Sequence, residues 1–392
     1  MTDPAATVLE RARAIVEDRK LTTVLRWKEA HPGAIAVGHM PVYVPRALLE
    51  AIGCLPVSLF GGGDAIDIIR GDSYFQSYIC HIPRSTVELA LGGDLDLLDG
   101  VLFPAICDVI RNLGGMWRML FPKTYATYVD MPQSFEPDIG GAFYVLEMKR
   151  VARDLEERGA RPIDPARLRQ AIARENERRA AIAELDLLRR TEPWRVRASE
   201  AYLVVRAGGV LETAEHTTMV NAFVDAARRR TSRPVDNVRV VLVGSFCEQP
   251  PFELIRALEK SGCDIVDDDF QLGMRMIDGP IEIAPGEDPL TALARAYLEK
   301  GRDTASRYIG NLVKGAGLIR RVRETRAEGV IFAAASFCDP ALLDQPMLEA
   351  ALTRAGVPHT SFKFSENMGQ FSVIREQAGA FSDAVKLWGA AS

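Results

Sequence analysis

The sequence predicts an α/β protein made of two doubly wound parallel-sheet domains joined by a helical segment. Near both ends of the chain, short apolar runs typical of buried strands alternate with helical patterns, and such alternation predicts parallel sheets. Between them, charged helix formers replace the alternation. We therefore place an N-terminal α/β domain at 1–144, a helical segment at 145–234 and a C-terminal α/β domain at 235–392. A chain of 392 residues is long enough for this division.

The N-terminal domain begins with a helical pattern and then alternates strands with helices. The pattern over 8–31 predicts one helix, and the apolar run at 34–38 predicts the first buried strand. The next helix has proline near its start and Gly53 after its end, as helix-end chemistry favours. The elements after the first strand are a helix at 45–52, a strand at 55–60, a helix at 85–91 and a strand at 100–104.

The helical segment and the second domain have equally clear markers. Asp164 followed by Pro165 predicts an N-cap and the first position of a long, surface-exposed helix. An apolar run then marks the return of the α/β alternation, and no internal repeat is visible in the sequence. The predicted elements of the second domain are a strand at 238–244, a helix at 252–261, and strands at 263–266 and 329–334.

The composition excludes several classes of protein. Hydrophobic residues make up 47% and charged residues 26% of the chain, as is usual for soluble globular proteins. The net charge of −5 argues against nucleic-acid and membrane-surface partners. No signal peptide or membrane-spanning run is predicted. The six cysteines lack the dense spacing of a secreted disulfide scaffold, so we expect a cytoplasmic, reducing compartment.

Three cysteines lie in similar local settings although they are far apart in the sequence. Cys107 and Cys338 each follow an apolar, strand-like run and are each followed by aspartate, and we assign Cys80 to the same kind of strand exit. Open α/β sheets bind ligands at the carboxyl ends of their strands. We therefore expect the three thiols to converge on one soft-metal site. A [4Fe–4S] cluster with one iron not held by cysteine is the best candidate.

Other interpretations of the cysteines stay open at this point. The long spacings match no compact zinc or ferredoxin motif. A zinc site would need a water as its fourth ligand, as in catalytic sites, or a fourth protein ligand, and His81 could serve only awkwardly because it is adjacent to Cys80. A cysteine in an apolar setting is often a packed core residue. We expect this of Cys54 and Cys263, which follow helix-ending glycines. Cys247 lies in a strand-to-helix turn and could either pack or contact a ligand.

Further candidate residues lie near the predicted strand ends. His39 follows the first strand and could donate a proton in a cleft, or it could be a hydrogen-bonded loop histidine. Arg84 and Arg111 each lie shortly after a candidate cysteine and could either sit beside a cluster or form salt bridges. The glycine run at 61–63 lacks the spacing of nucleotide-binding motifs, so it predicts neither ATP nor NAD binding.

Additional motifs run through nearly the whole chain, and together they carry a resemblance. They are Glu50-Ala51-Ile52-Gly53-Cys54, Leu98-Asp99-Gly100-Val101, Cys107-Asp108, Glu175-Asn176-Glu177-Arg178-Arg179, Asp267-Asp268 and Phe337-Cys338-Asp339. With Cys80 they resemble the cluster-bearing subunits of the family that contains ATP-dependent benzoyl-CoA reductases and (R)-2-hydroxyacyl-CoA dehydratases. The resemblance is greatest to the smaller cluster-bearing subunit of the reductases.

The resemblance implies a cofactor, partners and a substrate. Family members pair as two related subunits, each with a [4Fe–4S] cluster on three cysteines, and the matching positions here are Cys80, Cys107 and Cys338. It also implies ATP-hydrolysing activator subunits that deliver single electrons, ferredoxin as the electron donor to the complex, and a CoA thioester substrate. This chain has no Walker motif, which agrees with ATP hydrolysis on another subunit.

The resemblance further implies a function, with alternatives. The expected function is one-electron dearomatisation of an aryl-CoA such as benzoyl-CoA in anaerobic aromatic degradation, with His39 as a proton donor or thioester-positioning residue. Arg46-Ala47 departs from the acidic residues that many dehydratases carry after the preceding proline, which favours the reductase. A dehydratase subunit and a non-catalytic electron-relay subunit remain the alternatives.

Overall fold

A computed structural model describes residues 3–63, 66–244, 250–270, 275–307, 313–365 and 371–388. It contains two four-stranded sheets, all of whose strand pairs are parallel, with helices packed around them. This confirms the predicted α/β class with two parallel-sheet domains. The boundaries at 144 and 234 stay a prediction. In the described part of the chain no helix is both long enough and apolar enough to span a membrane.

The first sheet has the strand order β2-β1-β3-β4. Its inner strands are buried along their whole length, because crossover helices of a parallel sheet cover both of its faces. The strands are β1 (Ile35–His39), β2 (Cys54–Ser58), β3 (Gly100–Pro104) and β4 (Tyr125–Val129). The connecting helices are α3 (Arg46–Ala51), α4 (His81–Leu91) and α5 (Asp108–Leu120).

The second sheet has the same order, β6-β5-β7-β8, so the two sheets share a topology although the sequence shows no repeat. In each sheet the first strand lies between the second and the third, and this reversal of order opens a crevice at the carboxyl edge. The strands are β5 (Val238–Val243), β6 (Cys263–Asp268), β7 (Gly329–Ala335) and β8 (His359–Phe364). The helices are α10 (Phe252–Lys260), α11 (Pro289–Lys300), α12 (Ala316–Glu324), α13 (Asp339–Arg354) and α14 (Phe371–Trp388).

Four helices follow the first sheet and precede the second along the chain. They are α6 (Ala142–Glu156), α7 (Pro165–Thr191), α8 (Ala198–Ala207) and α9 (Thr213–Arg228). The predicted start of α7 is confirmed, since the Asp164 carboxylate accepts a hydrogen bond from the Arg167 backbone N–H at 2.7 Å and Pro165 opens the helix. The prediction that this helix is surface-exposed is wrong along one face. There α7 buries ion-paired residues as well as apolar ones, and pairing permits such burial.

The predicted helix over 8–31 is instead two helices, α1 (Pro4–Val16) and α2 (Thr22–Ala30). The Asp18 carboxylate accepts hydrogen bonds from the backbone N–H groups of Lys20 and Thr22, and Leu21 adopts φ +51°. Aspartate that bonds neighbouring backbone groups competes with helix formation, which explains the break. Helix α1 packs into a core with α7, α8 and α9.

One hydrophobic core runs through both sheets and includes Val101 from the first and Ile331 from the second. Cys54 and Cys263 lie within it, as the sequence predicts, and burial raises the pKa of each thiol to about 12. Both are therefore neutral packing residues near neutral pH. Cys247 lies outside the described residues. The shared core packs the two cysteine-bearing domains directly against each other.

Candidate functional site

The three candidate cysteines share a structural position. Each is the N-cap residue of a helix: Cys80 precedes α4, Cys107 precedes α5 and Cys338 precedes α13. The first turn of a helix carries unpaired backbone N–H groups and the positive end of the helix dipole. All three thiols therefore lie where a negative charge is stabilised.

Cys107 and Cys338 occupy equivalent places in the two sheets. Cys107 follows the third strand of the first sheet, and Cys338 follows the third strand of the second sheet. Both therefore lie at the carboxyl edge of their sheet, as the strand-exit prediction requires. Cys107 is half-buried and Cys338 is 6% exposed.

The strand-exit assignment is wrong for Cys80. Strand β2 ends at Ser58, and a long connection that contains a short 3₁₀ helix at Gly71–Tyr74 separates it from Cys80. Helix α4 nevertheless connects β2 to β3, and a crossover helix in a parallel sheet starts near the carboxyl edge. Cys80 thus reaches the same edge through the start of its helix. It is half-buried.

Electrostatics link the cysteine positions of the two domains. Burial raises the pKa of the Cys107 thiol, hydrogen bonds from the backbone N–H groups of Ile110 and Val109 oppose that rise, and the carboxylates of Asp108 and Asp339 add to it. Asp339 is the residue directly after Cys338. A carboxylate at the start of α13 thus contributes to the electrostatics of the thiol at the start of α5.

The donor set matches the chemistry of an iron–sulfur cluster, because thiolates are the ligands that such clusters take. Among the described residues, no three histidine, cysteine or acidic side chains form a compact group of the kind that holds a single metal ion. The [4Fe–4S] cluster on Cys80, Cys107 and Cys338 stays a prediction.

His39 is the last residue of β1 and does not lie on the loop after it. It is 2% exposed, with its Nδ1 2.8 Å from the Met40 carbonyl oxygen and its Nε2 3.3 Å from the Ser58 hydroxyl. Burial, together with the nearby charge of Arg46, lowers the pKa of His39 to about 3. The imidazole is therefore neutral near neutral pH. Its part in catalysis stays a prediction.

The two arginines near the cysteines have ordinary protein partners. Arg84 pairs with Asp72 at 2.7 Å and donates to the Ile79 carbonyl at 3.3 Å, so it holds the chain that leads into Cys80. The guanidinium carbon of Arg111 lies 5.3 Å from the centre of the Tyr128 ring, a cation–π contact. The salt-bridge interpretation is thus confirmed for Arg84.

A buried polar network that the sequence did not reveal surrounds Arg46. Its guanidinium is 4% exposed and donates to the carbonyls of Pro56, Gly208 and Leu211 at 3.2 to 3.4 Å. Burial, together with Arg178, lowers the pKa of Arg46 to about 10, so it remains a cation at neutral pH. Arg46 thereby joins α3 to the chain that follows α8. Its local sequence signal is a charge at the start of a short helix whose other charged residue is Glu50.

A cavity of about 740 Å³ lies in the second domain, and no sequence motif predicted it. Gly244, directly after β5, and Asp267 in β6 line one side, and Lys314 and Ala341 line another. Ala341 belongs to α13, whose N-cap is Cys338. The cavity therefore lies at the carboxyl edge of the second sheet, on the helix that starts at a candidate cluster ligand.

Comparison with known proteins identifies the family. Residues 41–385 match the family model described as 2-hydroxyglutaryl-CoA dehydratase, D-component. The chain belongs to this family. The match includes all three candidate cysteines, the whole second sheet and every strand of the first sheet except β1, because it begins two positions after His39.

Relatives within the family include one reductase subunit and several dehydratase subunits. The chain is 46% identical over 384 residues to the C subunit of benzoyl-CoA reductase from Thauera aromatica, which covers 98% of this chain and 99% of that relative. It is 25% identical over 354 residues to the (R)-phenyllactyl-CoA dehydratase beta subunit of Clostridium sporogenes, covering 90% and 92%. It is 26% identical over 367 residues to the beta subunit of (R)-2-hydroxyglutaryl-CoA dehydratase from Acidaminococcus fermentans, covering 90% and 93%.

Proposed function

We propose that this chain is the smaller iron–sulfur subunit of an ATP-dependent benzoyl-CoA reductase, an oxidoreductase that reduces an aromatic ring activated as a CoA thioester. One observation carries the proposal: 46% identity along almost the entire length to a benzoyl-CoA reductase subunit, against 28% or less to the dehydratase subunits. The expected setting is cytoplasmic, anaerobic degradation of aromatic compounds.

Cys80, Cys107 and Cys338 are the residues that would hold the [4Fe–4S] cluster. When bound, such a cluster supplies single electrons of low potential, which side chains do not provide. The chain contributes three thiols at helix N-termini, where the backbone N–H groups and helix dipoles offset negative charge. It also packs the domain that carries Cys107 against the domain that carries Cys338.

The proposed partners follow from the chemistry and from the relatives. Adding one electron to an aromatic ring breaks its delocalisation, so the electron must come from a strongly reducing donor. We therefore propose a homologous cluster-bearing subunit, ATP-hydrolysing activator subunits, and ferredoxin as donor to the complex. Each of the three relatives is named as one subunit of a larger enzyme, which supports an assembly of several chains.

The second candidate function is that of a 2-hydroxyacyl-CoA dehydratase subunit, and it is supported by the match to a dehydratase family model. Arg46 argues against it. Its buried guanidinium serves three carbonyl acceptors, and an acidic side chain at this position would leave those acceptors facing a buried negative charge. The carbonyl groups around this position thus suit a buried cation and do not suit a buried carboxylate.

The decisive assay compares two substrates with one preparation. The complete complex, purified without oxygen and supplied with ATP and reduced ferredoxin, is expected to convert benzoyl-CoA to a reduced-ring product and to leave a 2-hydroxyacyl-CoA unchanged. A non-hydrolysable ATP analogue serves as the control and should abolish turnover. Dehydration of the 2-hydroxyacyl-CoA without ring reduction would overturn the reductase assignment in favour of the second candidate.

We also propose that His39 supports the reaction as a neutral hydrogen-bonding group. Because the pKa of His39 lies at about 3, His39 stays neutral throughout the range of about pH 6 to 8. The pH profile of turnover in this range is therefore expected to have the same shape in the wild type and in His39→Gln. His39→Gln should lower the rate of product formation while the iron content stays unchanged. Unaltered turnover at full iron content would remove His39 from the mechanism.

A further inference from the structure

The two cysteine-bearing domains are joined by a partly buried polar contact in addition to their apolar core. The Tyr43 hydroxyl, on the connection between β1 and α3, lies 2.5 Å from the Thr304 hydroxyl and 2.9 Å from the Ser306 hydroxyl. Tyr43 is 1% exposed. Thr304 and Ser306 are partly exposed, so the contact is fixed from the buried Tyr43 side. Each such hydrogen bond has a defined geometry and contributes about 1 kcal/mol.

Tyr43 is also held in an unfavourable backbone conformation. Its φ is +66°, in the left-handed region that a bulky aromatic residue rarely adopts. Such a conformation persists only where the surroundings fix it. The Tyr43 ring meets Tyr297 edge-on at 6.2 Å, and Tyr297 in turn lies 5.2 Å from Tyr144. Ring packing and hydroxyl contacts together therefore set the position of this connection.

The partner side of the contact is a rigid turn at 301–307. The Arg307 backbone N–H donates to the Thr304 hydroxyl at 3.0 Å, and the Arg307 guanidinium donates to three carbonyls at the end of α11. The same guanidinium lies 4.5 Å from the centre of the Phe135 ring. Residues of this turn line the 740 Å³ cavity. A residue next to the first sheet's carboxyl edge is thereby fixed to the wall of the second domain's cavity.

We infer that Tyr43, Thr304 and Ser306 form an interdomain latch that holds Cys80 and Cys107 in register with Cys338. Tyr43 is a positioning residue in this role, because it acts on the ligand cysteines through the relative placement of the domains. The inference rests on the proposed cluster, which needs thiols from both domains at once. Without the latch the apolar core still joins the domains, but the distance between the two ligand-bearing edges is less tightly fixed.

The test uses Tyr43→Phe with Tyr125→Phe as the matched control. The Tyr125 hydroxyl donates to the Asp154 carboxylate at 2.8 Å, so the control loses a tyrosine hydrogen bond between β4 and α6, away from the turn at 301–307. In the assembled complex, iron release to a chelator is expected to be about fivefold faster in Tyr43→Phe, the factor that one hydrogen bond is worth, and unchanged in Tyr125→Phe. Thr304→Val with Ser306→Ala should match Tyr43→Phe, and the triple variant should be no faster.

A second measurement makes the outcome independent of the cluster. Hydrogen–deuterium exchange of the peptide that contains 301–307 in the iron-free chain is expected to rise about fivefold in Tyr43→Phe and not in Tyr125→Phe. A wild-type complex without iron would disprove the proposed cluster. The exchange measurement would then still test whether Tyr43 holds the turn at 301–307. Exchange and iron release that match the wild type in Tyr43→Phe would overturn the latch while leaving the proposed function intact.

Discussion

Replacing any one of Cys80, Cys107 and Cys338 with alanine is expected to remove about one cluster's worth of iron from the anaerobically purified complex and to abolish ring reduction. Each thiol is the N-cap of its helix and comes from a different element, so no neighbouring cysteine can take its place without moving a helix start. Iron and acid-labile sulfide per complex, with the electron paramagnetic resonance spectrum of the reduced protein, are the measurements.

Cys54→Ala is the matched control for these variants. Cys54 lies in the core of the same domain as Cys80 and Cys107, where burial raises the pKa of its thiol to about 12 and keeps it protonated. This variant should lose some stability through the missing core atom and keep all of its iron. Full retention of iron in each of the three ligand variants would disprove the proposed ligand set.

Asp268→Ala is expected to lower the free energy of unfolding by about 3–5 kcal/mol, as breaking a buried ion pair does. Asp268 is 2% exposed at the end of β6, and its carboxylate pairs with Arg189 of α7 and with Arg275. Arg189 and Arg275 share only one other carboxylate partner in the described structure, that of Asp186. The substitution would leave two buried guanidinium groups with that single carboxylate. Urea unfolding of the purified chain near neutral pH measures the loss.

Glu324→Ala provides the control for Asp268→Ala. Glu324 pairs with Arg320 at 3.9 Å, and both side chains are at least 60% exposed. Solvent screens such a pair, so its loss should change the unfolding free energy by less than about 1 kcal/mol. Equal effects of the two substitutions would show that the buried pairs of Asp268 do not contribute the stability assigned to them.

The same buried pairs predict an acid dependence of stability. Burial by itself would raise the pKa of Asp268, but Arg275 and Arg189 outweigh it and hold the pKa below the ordinary value. The contribution of these ion pairs to the free energy of unfolding is thus fully present above the pKa of Asp268 in the unfolded chain, about 4. It is lost as the pH falls through the lower pKa of Asp268 in the folded protein. Wild-type stability should fall more steeply below about pH 4 than that of Asp268→Ala.

Most strands of the fold were predictable because strands buried on both faces read as uninterrupted apolar runs. The strands β3 and β7 follow this pattern throughout, β1 follows it up to its last residue, His39, and β5 follows it apart from Arg239. The sequence analysis missed β4 and β8. Each pairs with a strand on one side only and leaves part of its length uncovered, so polar residues interrupt the apolar pattern.

The sequence by itself determined the alternation of strands and helices and the chemical identity of the candidate ligands. Apolar periodicity and helix-end residues are local, and a cysteine is recognisable wherever it occurs. The prediction that Cys107 and Cys338 follow strand ends succeeded for this reason. The same prediction was wrong for Cys80, because Cys80 reaches the sheet edge through a long connection that has no periodic pattern.

Only the tertiary structure decided which distant residues meet. Burial of Arg46 and Asp268, neutrality of His39, and the contact of Tyr43 with Thr304 and Ser306 each require groups from separate elements to share one low-dielectric space. The sequence singled out His39, Arg46 and Asp268, but it indicated none of these contacts. Their pairing energies appear only when folding removes water from both partners at once, and no local pattern records that event.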